Sequence, residues 1–149
     1  IQDPTGAALC LWEPKGHPGA GLFNEHGTMT WNELATRDRE AALAFYNDLL
    51  GWEYEEMETP GGLYKVIHND GRPNGGVLQM TDEWPAEVPP HWMVYFWVDD
   101  VEAMSERVKE LGGGVEVEPF DIGVGMVSVV KDPAGAVFTL FNATDGPST

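Results

Sequence analysis

An α+β fold built from two βαβββ modules is what this chain predicts, and three observations carry that expectation. A turn-plus-strand pattern recurs. Asp132-Pro133-Ala134-Gly135 leads into the β-branched and aromatic run that ends at Phe141, and Pro73-Asn74-Gly75-Gly76-Val77-Leu78-Gln79-Met80 matches Pro133 to Leu140 at an offset of 60. Trp31, Asp38, Ala42, Leu50 and Gly51 return at an offset of 61 as Trp92, Asp99, Ala103, Leu111 and Gly112. Each half also reads as one strand, one helix and then three strands. Internal repetition of a whole supersecondary unit is sought before any other fold assignment, because it places everything else.

The elements follow from local chemistry. Residues 30 to 36 alternate as a strand, Asp38 supplies an N-cap, and Ala41, Ala42, Phe45 and Leu49 form a helical apolar stripe that Gly51 stops. Residues 52 to 57 and 63 to 68 read as strands around the turn Thr59-Pro60-Gly61-Gly62, and Gly75 to Met80 closes the first module. Trp84 to Pro90 is a proline-stiffened connector. In the second module His91 to Val98 is a strand and Asp99 or Asp100 caps a helix. Val101, Met104, Val108 and Leu111 line that helix, and Gly112-Gly113-Gly114 ends it. Strands follow at Val115 to Glu118 and Met126 to Val130, and a last one after the Asp132 turn.

A third copy of the turn, Asp3-Pro4-Thr5-Gly6, precedes the apolar run Ala7 to Trp12. Residues 1–13 therefore read as the closing strand of a preceding domain, residues 14–29 as a Gly/Pro linker, and residues 30–144 as one domain with modules 30–81 and 91–144. An apolar strand without its module is an aggregation hazard, so residues 6–12 are expected to add to a sheet edge or an apolar surface. The acceptor is either their own domain or a second chain, the latter in a strand-exchanged homodimer.

Composition narrows the partners. A net charge of -17 over 149 residues argues against nucleic acid and anionic membranes, both of which call for basic patches. The single cysteine, Cys10, excludes an intrachain disulfide and fits a reducing, cytoplasmic setting. No apolar run reaches membrane-spanning length.

Phe45-Tyr46-Asn47-Asp48-Leu49-Leu50-Gly51-Trp52, Val98-Asp99-Asp100-Val101 and Asp132-Pro133-Ala134-Gly135, set in a duplicated βαβββ frame, resemble the vicinal oxygen chelate superfamily of glyoxalase, bleomycin-resistance and extradiol dioxygenase proteins. The resemblance covers residues 30 to 144, and the extra N-terminal turn resembles tandem two-domain members. It implies a curved mixed sheet with a helix outside each module and a concave cup for metal and substrate. In the metal enzymes of that superfamily, ligands lie about seven residues before the helix-capping Asp and seven after the Asp of Asp-Pro-x-Gly. Those counts fall on Trp31, Met93 and Thr139, with Gln79 as the repeat partner of Thr139. Such residues suit no ordinary divalent cation, so no metal and no cofactor are expected.

Side-chain alternation fills the cup with Trp31, Glu33, Gln79, His91, Met93, Tyr95, Trp97, Thr139 and Phe141 as candidate ligand-binding residues. Glu33 is the best candidate for a catalytic base, since a carboxylate on an apolar face has a perturbed proton affinity. Five of these residues also have a plainer reading: Trp31, Met93 and Phe141 as core, Glu33 as a solvated rim group, His91 as a strand-start residue at the rim. The expectation is a metal-independent domain that binds a small apolar or aromatic molecule. The alternatives are a lyase-like or dioxygenase-like family enzyme using Glu33 as base, and a non-catalytic half of a tandem protein.

Overall fold

A computed structural model describes residues 1–59, 62–144 and 146. The expected turn at residues 59–62 lies partly outside them. Eight strands and two helices follow in the order β1 (Met29–Thr36), α1 (Arg39–Leu50), β2 (Glu53–Thr59), β3 (Gly62–Asn69), β4 (Arg72–Gln79), β5 (His91–Trp97), α2 (Val101–Glu110), β6 (Gly114–Asp121), β7 (Gly125–Lys131) and β8 (Val137–Ala143). This is the βαβββ pattern twice, with strands in mixed senses. The chain forms two compact units, one of Ile1–His17 with Asn32–Trp92, the other of Pro18–Trp31 with the chain from Met93 onward.

In the first unit the strand order is β2-β3-β4-β1, antiparallel except for the parallel pair β1–β4. The Asp38 carboxylate caps α1 by accepting from the Ala41 amide at 3.1 Å. Gly51 ends the helix in the left-handed region (φ 71°), which a glycine reaches without steric cost, and its N–H returns to the Asn47 carbonyl at 2.8 Å. The buried helix face is Ala42, Leu43 and Tyr46. The expected stripe is thus rotated toward Tyr46, and Leu49 stays largely exposed. Leu34, Ile67 and Val77 complete this core, with Phe45, Trp52, Tyr54 and Trp92 packed around it. Burying a side chain such as Leu34 in full contributes roughly 1.5–3 kcal/mol.

The N-terminal segment joins the same core. Asp3 to Gly6 forms the expected tight turn, but beyond it the chain makes only one antiparallel bridge, Gln2 to Ala8, and no regular strand. Ala7 is fully buried in the core cluster and Leu9 packs against it.

In the second unit the order is β5-β8-β7-β6, with β5–β8 parallel. Asp100 is the cap of α2, accepting from the Ala103 amide at 2.9 Å. Val98, Val101, Val130 and Leu140 form the core, joined by Met104, Val108, Val115, Met126 and Phe138. Leu111, expected in the buried stripe, is 62% exposed because the helix has already ended and the chain turns there. No helix among the described residues is long and apolar enough to cross a membrane.

Candidate functional site

Which face a strand residue occupies is set by its partners. In the second unit Leu140 and Phe138 belong to the core beneath α2, and Phe96 meets Phe138 edge-on at 5.6 Å. Thr139 and Phe141 therefore turn to the opposite face, as do Tyr95 and Trp97. That face is aromatic. Phe141 packs edge-to-face with Tyr95 (6.2 Å) and with Trp97 (5.9 Å). Tyr95, Phe141 and Met93 are half-buried, while Trp97 and Thr139 are buried. The Thr139 hydroxyl, buried on this face, has no hydrogen-bond partner among the described residues. Such a group is costly and calls for a specific explanation.

In the first unit the face opposite α1 carries Glu33, which pairs in register with Gly76. Tyr64 reaches it from β3: its ring crosses β4 over Gly76, and its hydroxyl donates to the Glu33 carboxylate at 2.9 Å. A Cβ on Gly76 would lie 1.8 Å from that hydroxyl oxygen, so the bridge exists only because residue 76 has no side chain. Sequence reading singled out Glu33 but missed Tyr64. The usable signal was Gly75-Gly76 inside a strand, which marks close approach by another group.

Gln79 requires a correction. Its side-chain carbonyl accepts from the Arg39 amide (3.2 Å), and its amide donates to the carbonyls of Arg37 (2.8 Å) and Met80 (3.1 Å). It ties β4 to the turn entering α1, on the face away from Glu33. Asn142 does the same in the second unit, donating to the carbonyls of Val98 (2.8 Å) and Asp99 (3.2 Å). Gln79 thus corresponds to Asn142, and Gly76, not Gln79, corresponds to Thr139: Gly76 pairs with Glu33 as Thr139 pairs with Tyr95, each five residues before its helix cap. The repeat alignment was three residues out at this strand, and an odd slip moves a side chain to the other face.

His91 begins β5 half-buried, donating through Nδ1 to the Pro89 carbonyl at 2.8 Å and tilted against Trp84. Trp31 is half-buried in β1. In the second unit, the positions where the superfamily's metal ligands are expected hold an indole (Trp31), a thioether (Met93) and a hydroxyl (Thr139). Divalent cations of catalytic sites take carboxylate, imidazole or thiolate donors, so this set does not fit one.

Two open surface depressions lie elsewhere, one at Glu53, Tyr54, Glu55, His68 and Gly71, the other at Asp100, Glu102, Ala103, Glu106, Glu118 and Pro119. Both are shallow and rimmed by carboxylates. The first unit also encloses a polar chain: Trp92 Nε1 donates to the Tyr46 hydroxyl, which donates to Asp3, each at 3.0 Å. Burial is the main cause that pushes the Tyr46 phenol's pKa up; the Trp92 contact works against it and the Asp3 carboxylate with it.

Residues 27–140 match the family described as Glyoxalase/Bleomycin resistance protein/Dioxygenase superfamily. Among curated proteins, the chain is 44% identical over 142 residues to the "Putative glyoxylase CFP32" of Mycobacterium tuberculosis, covering 94% of this chain and 53% of that protein. It is 36% identical over 138 residues to the anthracycline biosynthesis protein DauV of a Streptomyces species, covering 93% and 50%. The chain spans about half the length of these relatives. Among solved structures, a methylmalonyl-CoA epimerase of Streptomyces coelicolor shares the fold at a TM-score of 0.61 and 16% identity, over 84% of this chain and all of that one.

Proposed function

This chain belongs to the Glyoxalase/Bleomycin resistance protein/Dioxygenase superfamily, and from that premise we propose that it binds a small apolar or aromatic molecule against the sheet face opposite α2, without a resident divalent metal. One observation carries the reading: a half-buried cluster of Tyr95 and Phe141 lies on the same face as a buried hydroxyl, Thr139, that has no partner among the described residues. Small-molecule sites are largely apolar and aromatic with a few polar groups that set orientation. An aromatic ligand class also agrees with the name of the Streptomyces relative. The metal-free part rests on the donors at Trp31, Met93 and Thr139.

The alternative, a family enzyme with Glu33 as base, is weighed by its hydrogen bond. A phenol that donates to a carboxylate stabilises the ionised acceptor. The Tyr64 hydroxyl thus occupies one oxygen of the carboxylate that this reading would use as base.

Two measurements test the reading. Elemental analysis of purified protein is expected to find no stoichiometric zinc, nickel, iron or manganese. Titration of 2-naphthol into nitrogen-15-labelled protein is expected to shift the amides of residues 95–97 and 139–141 saturably, with weaker binding in Phe141→Ala. One tightly held metal per chain, or unchanged amides in those strands, would overturn it.

A further inference from the structure

We propose that the Thr139 hydroxyl is a specificity-determining donor, which selects aromatic ligands carrying a carbonyl on the ring over isosteres without one. Such selection rests on the small-molecule reading above, needs the second unit alone, and names the ligand class that reading leaves open.

Among the described residues, Thr36, Ser105, Ser128 and Thr139 are the buried serines and threonines. Three of them are satisfied. Thr36 accepts from the Asp38 amide at 3.3 Å, Ser105 donates to the Val101 carbonyl at 2.7 Å, and Ser128 donates to the Val117 carbonyl at 2.8 Å. Thr139, 1% exposed, has no partner among the described residues. Its neighbours by register are Tyr95 on β5 and Val129 on β7, with Phe141 two residues along β8. A valine would fill the same space without an unmet polar group, so packing gives no reason for the hydroxyl. What lacks a partner is above all the proton, because buried donors without an acceptor are rarer than under-satisfied oxygen lone pairs. A ligand carbonyl brings lone pairs and no proton of its own. The rings of Tyr95 and Phe141 are half-buried, so this face meets solvent beside the covered hydroxyl. A ligand reaches that hydroxyl as the Phe141 ring turns from its edge contacts with Tyr95 and Trp97, a rotamer change that is fast for a partly exposed side chain. The aromatic surroundings then strengthen the hydrogen bond relative to one in water.

The probes are acetophenone and α-methylstyrene, which has a methylene group in place of the carbonyl oxygen. Each is titrated into the full chain and followed by nitrogen-15 amide shifts of residues 95–97 and 139–141. Thr139→Val is expected to weaken acetophenone binding roughly fivefold, the scale of one neutral hydrogen bond, and to leave α-methylstyrene binding no weaker. Thr139→Ser, which keeps the donor, should retain most of the acetophenone affinity. Without ligand, Thr139→Val should melt no lower than wild type, since it removes an unpaired buried group. A lower melting temperature would show that the hydroxyl is already paired within the fold, and would overturn the proposal. An equal effect of Thr139→Val on both probes, or no effect on either, would overturn carbonyl selection and leave the small-molecule reading standing. If neither probe moves those amides in wild type, both fail together.

Discussion

Tyr46 shows what one side chain contributes. It is 1% exposed, stacks on Trp52 at 5.4 Å, and passes a hydrogen bond from Trp92 to Asp3. Tyr46→Phe keeps the ring but strands both an indole N–H and a carboxylate oxygen in a buried place. A loss of about 2 kcal/mol in urea unfolding is the expected outcome. The same residue governs the alkaline limb. Burial pushes the Tyr54 phenol from 10.0 up to about 12, and raises Tyr46 as well. Above about pH 10 the unfolded chain releases these protons while the folded one holds them, so the unfolded state binds fewer and stability falls as pH rises. Below that point the contribution is complete. The fall above pH 10 should be shallower in Tyr46→Phe, and an identical slope in the variant would remove Tyr46 from this account.

At the scale of elements, the N-terminal segment is the clearest case. Asp3 Oδ1 accepts from the amides of Thr5, Gly6 and Ala7 and from the Thr5 hydroxyl, which holds the turn. Its other oxygen takes the Tyr46 hydroxyl, so the turn is fastened to the helix. Ala7 and Leu9 then add apolar contact. Deleting residues 1–9 is expected to lower the melting temperature and leave the mass in solution unchanged. An unaltered melting temperature would make the segment idle. Loss of a dimer on deletion would instead point to strand exchange between two copies.

At the scale of the molecule, 25 acidic against 8 basic residues set the behaviour. Exposed ion pairs such as Lys109–Glu106 and Arg107–Glu110 contribute little each, and acidic residues outnumber the basic ones about three to one. Self-repulsion of this size works against the folded state, and salt screens it. Raising the ionic strength from about 10 mM to about 150 mM shortens the screening length from ~30 Å to ~8 Å. The melting temperature should rise over that range. A flat or falling trend would mean that the paired charges outweigh the repelling ones.

The strands, the two helices, their Asp caps and the duplicated βαβββ order were legible in the sequence, because alternation, capping and glycine stops are local signals. So was the aromatic face of Tyr95, Trp97 and Phe141, which follows from period-two alternation once the core side of β5 and β8 is known. Three things were decided only by tertiary structure. The rotation of the α1 face toward Tyr46 depends on Asp3 and Trp92, 43 and 46 residues away in the chain. The face of Gln79 depends on β1–β4 register, which a repeat alignment misses when it is three residues out. The Tyr64–Gly76–Glu33 bridge needs three strands side by side, and no spacing along one chain encodes that. Side-chain direction within an element is local chemistry, whereas which side chains meet across elements is settled by register and packing.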